Sequence, residues 1–105
     1  MRIPAAMGLA LALLLVCPDS RAQAQGSQGA ELAGRLGCLA CHALNGPGSK
    51  LAAPLDGVGA RLTAAELARA IAYPRQRHPG AKMPSYAYLS PMEQAALVEF
   101  LQTLK

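Results

Sequence analysis

Apolar positions along the chain fall into four groups that differ in spacing. The first is an unbroken run, Ala5 to Cys17 (AAMGLALALLLVC), thirteen residues with no polar interruption. The second covers residues 31–39, where Leu32 and Leu36 stand four apart and the small Ala30 and Gly34 repeat that spacing, which predicts a first helix. The third opens at Thr63-Ala64-Ala65-Glu66, a capping box, and continues with Leu67 and Ile71 one turn apart until Pro74 stops it. The fourth opens at Ser90-Pro91-Met92-Glu93, where an N-cap serine, a proline at the first helical position and a glutamate at the third coincide. From there a last helix runs to about Thr103 and presents Leu97, Phe100, Leu101 and Leu104 along one side. The expected fold class is therefore all-α, with three or more helices. Two long loops rich in glycine and proline, Ala43 to Leu62 and Pro74 to Leu89, separate them. Loops of that length are out of place in a small domain unless they wrap something.

The first apolar run has the layout of an address. Arg2 gives a positive start, Pro18 ends the run, and Ala22-Gln23-Ala24 offers small residues around a cut. These are the n-region, h-region and cleavage site of a secretory signal peptide. Thirteen apolar residues fall short of the roughly 20 that span a bilayer, so no membrane span is expected once the leader is removed. Cys17 closes the run as in a lipoprotein signal, but bulky Val16 precedes it. Residues 1–24 are thus expected to be a cleaved leader and residues 25–105 the folded domain, in the periplasm.

Composition then sharpens the problem. The 105-residue chain is 52% hydrophobic, yet only 4% aromatic, with three tyrosines, one phenylalanine and no tryptophan. After the cut, 81 residues remain, with eight basic and five acidic side chains. Chains of this size usually need a disulfide, a metal, a cofactor or a partner to complete a core. The mild positive balance forms no dense basic stripe with interleaved aromatics, which excludes the usual nucleic-acid footprint. Between Arg69 and Lys82 there are four bases and no acid, a face suited to weak docking on an acidic surface or simply a solvated one.

Loss of the leader leaves two cysteines, in Gly37-Cys38-Leu39-Ala40-Cys41-His42. A thioredoxin-type dithiol wants a βαβ context, which is missing here. A zinc site wants four ligands, whereas the mature chain offers Cys38, Cys41, His42 and His78, and adjacent Cys41 and His42 could hardly share one tetrahedral ion. C-x-x-C-H is instead the attachment signature of a c-type haem. The two thiols bond to the porphyrin vinyl groups, and the next residue points an imidazole at the iron.

A second axial ligand has three candidates, with Lys82 a remote fourth. Met83 lies in Lys82-Met83-Pro84-Ser85-Tyr86, where Pro84 stiffens the chain beside a soft thioether that favours ferrous iron. His78 would give a bis-histidine iron, and its bland reading is an exposed loop histidine. Met92 sits in the first turn of a helix, where methionine is usually core filler. Met83 leads, ahead of His78 and then Met92.

On these motifs the chain resembles the class I c-type cytochromes in their small bacterial single-haem form. The resemblance rests on Cys38 to His42, on Pro54-Leu55-Asp56-Gly57-Val58-Gly59-Ala60-Arg61, on Lys82 to Tyr86, and on the final amphipathic helix. It implies a small cytochrome c fold, a helical shell wrapped around one covalently bound haem c, with the first and last helices crossing. It also implies Cys38 and Cys41 as thioether anchors, His42 as proximal iron ligand and Met83 as distal ligand. A loop carbonyl, of Ala53 or Pro54, would orient His42. Arg61 matches a propionate-pairing position, with a solvated loop arginine as the plain alternative. Tyr73 stands where it could replace the family's absent tryptophan at a propionate, or pack in the core. The family's aromatic on the first helix is missing, so Phe100 must supply the bulk at the crossing. With both axial positions filled, the implied protein is no enzyme but a monomeric one-electron carrier between redox protein partners. The alternatives are a haem-bearing subunit of a periplasmic dehydrogenase or oxidase complex, and a haem-based ligand sensor with a labile Met83.

Overall fold

The computed structural model describes residue 2, residues 12–16 and residues 20–105. Much of the expected leader lies outside the described residues. The described part is all-helical: α1 (Ser20–Leu36), a 3-10 turn (Cys38–Ala40), α2 (Val58–Arg61), α3 (Ala64–Ala72), α4 (Pro74–Arg77) and α5 (Pro91–Gln102). Among the described residues the one extended pairing is an isolated antiparallel bridge, Ala43 to Gly48.

The two helices with capping boxes start where the local pattern places them. The Thr63 hydroxyl accepts from the Glu66 N–H while the Glu66 carboxylate accepts from the Thr63 N–H. Ser90 and Glu93 form the same reciprocal pair, with Pro91 at the first helical position. Each box satisfies two amide donors that a helix start otherwise leaves orphaned.

The first helix departs from expectation at both ends. It begins at Ser20, eleven residues before the apolar spacing becomes visible at Glu31. Alanine, arginine and glutamine, which favour helix without making an apolar stripe, fill much of that stretch. The expected cut after Ala24 therefore falls inside α1. The helix ends at Leu36 rather than Leu39, because Gly37 turns into the left-handed region with φ 76°. The loops also hold more structure than predicted: α2 lies in the first, and Pro74, rather than only stopping α3, opens the short α4.

The core joins Leu32 and Ala33 of α1, Val58 of α2, Leu67 and Ile71 of α3, Tyr86 and Leu89 of the loop, and Leu97, Val98 and Leu101 of α5. α1 packs on α5, and α3 on α5 beside it. Gly29 makes the crossing close: a Cβ there would meet the Ala96 carbonyl, and would lie 2.6 Å from Phe100 Cβ. Phe100 is partly buried against the core, with its Cβ at the crossing beside Gly29. Among the described residues Leu97 alone is fully enclosed, and a second set of apolar side chains remains half-buried around the core: Leu36, Cys38, Leu55, Leu62, Met83 and Leu104.

Candidate functional site

Gly37 carries the chain out of α1 straight into the 3-10 turn that begins at Cys38 and is capped by Cys41. Both thiols are free. Cys38 is half-buried, and burial pushes its thiol up while a backbone hydrogen bond pulls the other way. Cys41 is exposed. The His42 N–H donates to the Cys38 carbonyl at 2.9 Å, so thiols and imidazole sit on one tightly wound segment.

The loop after the motif folds back over it. Ser49 N–H donates to the Leu39 carbonyl and Ala52 N–H to the Cys41 carbonyl. This return brings the Ala53 carbonyl to 2.6 Å from His42 Nδ1, which donates to it. Of the two residues that could have filled that role, Ala53 does so and Pro54 does not. With Nδ1–H committed to a carbonyl, the Nε2 lone pair is left available as a donor to a metal.

The return is anchored by two further features. The Asp56 carboxylate accepts the Asn45 N–H with both oxygens at 3.2 Å. Gly48 holds φ 114°, and a Cβ there would run into the His42 carbonyl. Arg61 is exposed, and its Nη1 donates to the Asp56 carbonyl at 2.8 Å, so it braces its own loop.

Met83 is half-buried and packs against the same core as Cys38. Its segment is pinned to α3 and α4 by three bonds. Arg75 Nη1 donates to the Met83 carbonyl at 3.2 Å, Ser85 Oγ to the Ala72 carbonyl at 2.6 Å, and Tyr86 N–H to the Ile71 carbonyl at 2.9 Å. The Tyr86 hydroxyl crosses to the attachment side and donates to the Leu36 carbonyl at 3.2 Å. Burial foremost, then the nearby Cys38, Tyr88 and Cys41, push the Tyr86 phenol up, so it stays protonated as a donor.

The other named residues are set apart. His78 and Lys82 are exposed. Met92 is 78% exposed rather than core filler, and it lines a groove between α1 and α5 with Glu31, Arg35 and Glu93. Tyr73 is 53% exposed at the α3–α4 junction, which removes the packed-core reading for it. The reading from residue types missed the Arg75 contact and the Tyr86 cross-tie. The only signal available for either was the position of Tyr86 three residues after Met83.

The donor set fits an iron porphyrin. Among the described residues no group of three or more His, Cys, Asp and Glu side chains gathers to hold a bare ion. The thiols and the imidazole instead stand in fixed sequence, with half-buried Leu36, Leu55, Leu62 and Met83 offering apolar surface that the core leaves uncovered.

Comparison with known proteins agrees with this assignment. The family model described as cytochrome c matches residues 26–105. No curated protein and no solved structure matches the chain.

Proposed function

The chain belongs to the cytochrome c family, whose members are non-catalytic haem-binding electron carriers, and from that membership we propose a specific form of the role. Residues 1–24 export the chain and are removed. Residues 25–105 act in the periplasm as a one-electron carrier holding a single haem c, with thioethers from Cys38 and Cys41. His42 is the proximal iron ligand and Met83 the distal one.

The observation that carries this reading is the His42–Ala53 hydrogen bond directly after two free thiols. It fixes the ring orientation and raises the basicity of the ligating nitrogen. When bound, the haem supplies the one-electron couple of its iron. The protein supplies the setting. Leu55, Leu62 and Met83 bring apolar surface that keeps water from the group, and Ala53 holds the imidazole. The bonds from Arg75, Ser85 and Tyr86 hold the Met83 segment in place, which favours a closed carrier over a sensor with a labile ligand. Arg61 keeps guanidinium donors beyond the one on Asp56, and Tyr73 is exposed. Both are proposed propionate partners.

Among the described residues no helix is long and apolar enough to cross a membrane. Cys41 and Leu39 are exposed, so the attachment segment itself is open to a partner. Exposed Arg69, Arg75 and Lys82 favour an acidic redox protein as that partner, while Arg77 is paired with Glu66 at 3.1 Å.

The test is the intact mass of the exported chain from cells that attach haem to c-type cytochromes. One covalent haem on a chain starting at Gln25, lost in the Cys38→Ser, Cys41→Ser double variant, is the expected result. A mass equal to the bare polypeptide overturns the reading.

A further inference from the structure

Two segments must be held at a fixed separation if one group is to be ligated from both. The first runs from the end of α1 through Cys38 to His42, and the second from Lys82 to Leu89. The hydrogen bonds of the second segment run mostly elsewhere: Met83, Ser85 and the Tyr86 amide bond to α3 and α4, while Gln94 of α5 donates to Ala87 and Leu89. Among the described residues, the hydrogen bond that joins the two segments is Tyr86 Oη–H to the Leu36 carbonyl, which spans fifty residues of sequence.

Both ends of that bond are well chosen for the task. Leu36 is the last residue of α1, where helical carbonyls have no acceptor role left inside the helix, and it stands two residues before Cys38. Tyr86 stands three residues after Met83, only 8% exposed within the core, with its amide fixed on Ile71. A ring held by packing and a backbone bond orders little more when its hydroxyl bonds, so the tie is pre-organised. We propose that Tyr86 is a positioning residue for Met83: its hydroxyl sets the Met83 segment against the attachment segment and so holds the thioether on the iron. This rests on the His42/Met83 ligation proposed above.

The test uses the haem-loaded protein and free imidazole as a competing iron ligand. Tyr86→Phe keeps the ring and removes only the hydroxyl. Loss of one ordinary intramolecular hydrogen bond predicts imidazole binding tighter by roughly three- to ten-fold. The red absorption band of ferric methionine ligation should also be lost at lower imidazole concentration. Ser90→Ala, which removes the α5 cap, is the control for a general loss of stability. It is expected to leave imidazole affinity unchanged. Equal affinity in Tyr86→Phe and Ser90→Ala overturns the positioning role, provided that Met83→Leu abolishes the red band. If the band survives Met83→Leu, the ligation reading itself fails and the positioning role fails with it. Tighter imidazole binding in Tyr86→Phe alone supports the tie.

Discussion

Replacing Gly29 by alanine should destabilise the protein, although the same change is favourable in most helices. The added Cβ would lie 2.6 Å from Phe100 Cβ and 2.9 Å from the Ala96 carbonyl carbon, and would meet the Ala96 oxygen as well. Carbon atoms pack at about 3.5–4.0 Å, so α1 and α5 must separate by roughly 1 Å. Two of the three obstacles are backbone and the third is a Cβ, so no rotamer change relieves the contact. Overpacking of this kind costs about 1–3 kcal/mol, against a gain of about 0.8–1 kcal/mol from replacing glycine in a helix. Separation of the helices also loosens Leu32 and Leu97, two of the best-buried residues, which brings the expected net loss to about 1–2 kcal/mol. Gly34, on the same helix, has nothing within 4 Å of its would-be Cβ. Gly34→Ala should therefore stabilise the protein, by about 0.5–1 kcal/mol. The two variants are compared by urea unfolding of the haem-loaded protein. With the shallow slopes of small domains, about 1–2 kcal/mol per molar, their midpoints should differ by roughly 1 M or more. The crossing also sets where α1 delivers the thiols, because Gly37 alone separates the helix from Cys38. Equal midpoints for the two variants would refute the close-crossing argument.

Three further outcomes are expected. Gly48→Ala combines a φ of 114° with a collision at the His42 carbonyl; it should lower the fraction of chains carrying covalent haem, read by intact mass, more than Gly80→Ala, which meets nothing. The capping boxes hold the Glu66 and Glu93 carboxyls below their usual range, chiefly through the Thr63 and Ser90 backbone N–H groups. Their contribution is therefore full above about pH 4.3, the unfolded value. It is lost as the pH falls through the lower folded value. Thermal midpoints should drop on acidification below about pH 4, and the Glu66→Gln, Glu93→Gln variant should drop less steeply. Finally, electron exchange with an acidic partner protein should slow with added salt, since screening shortens from about 10 Å at 0.1 M to 3 Å at 1 M. Stopped-flow rates should lose much of this dependence in Arg69→Glu, Lys82→Glu, and an unchanged salt slope would remove that face from the docking surface.

Several features of the fold were legible from residues alone because their causes are local. Each capping box lies within four residues, so Thr63–Glu66 and Ser90–Glu93 mark α3 and α5 without knowledge of the rest of the chain. The Cys38-to-His42 motif is local for a chemical reason, since in the proposed function two thioethers and an imidazole reach one flat group. The start of α1 was hidden because Ala22, Gln23, Ala24 and Gln25 favour helix without an apolar period. Its end depended on the backbone of Gly37, which the apolar spacing through Leu39 does not reveal.

What the amino-acid sequence determined by itself is the class of the molecule: a small helical chain poor in aromatic side chains, with two thiols and an imidazole in fixed order. The tertiary structure alone decided that Ala53 rather than Pro54 orients His42, that Gly29 admits the α5 backbone, that Met92 faces outward, and that Tyr86 joins the Met83 segment to the end of α1. Met92 faces outward simply because no packing partner covers it. The other three share a physical reason: each depends on a group meeting a backbone carbonyl elsewhere in the chain, and every residue carries a carbonyl that no residue type announces.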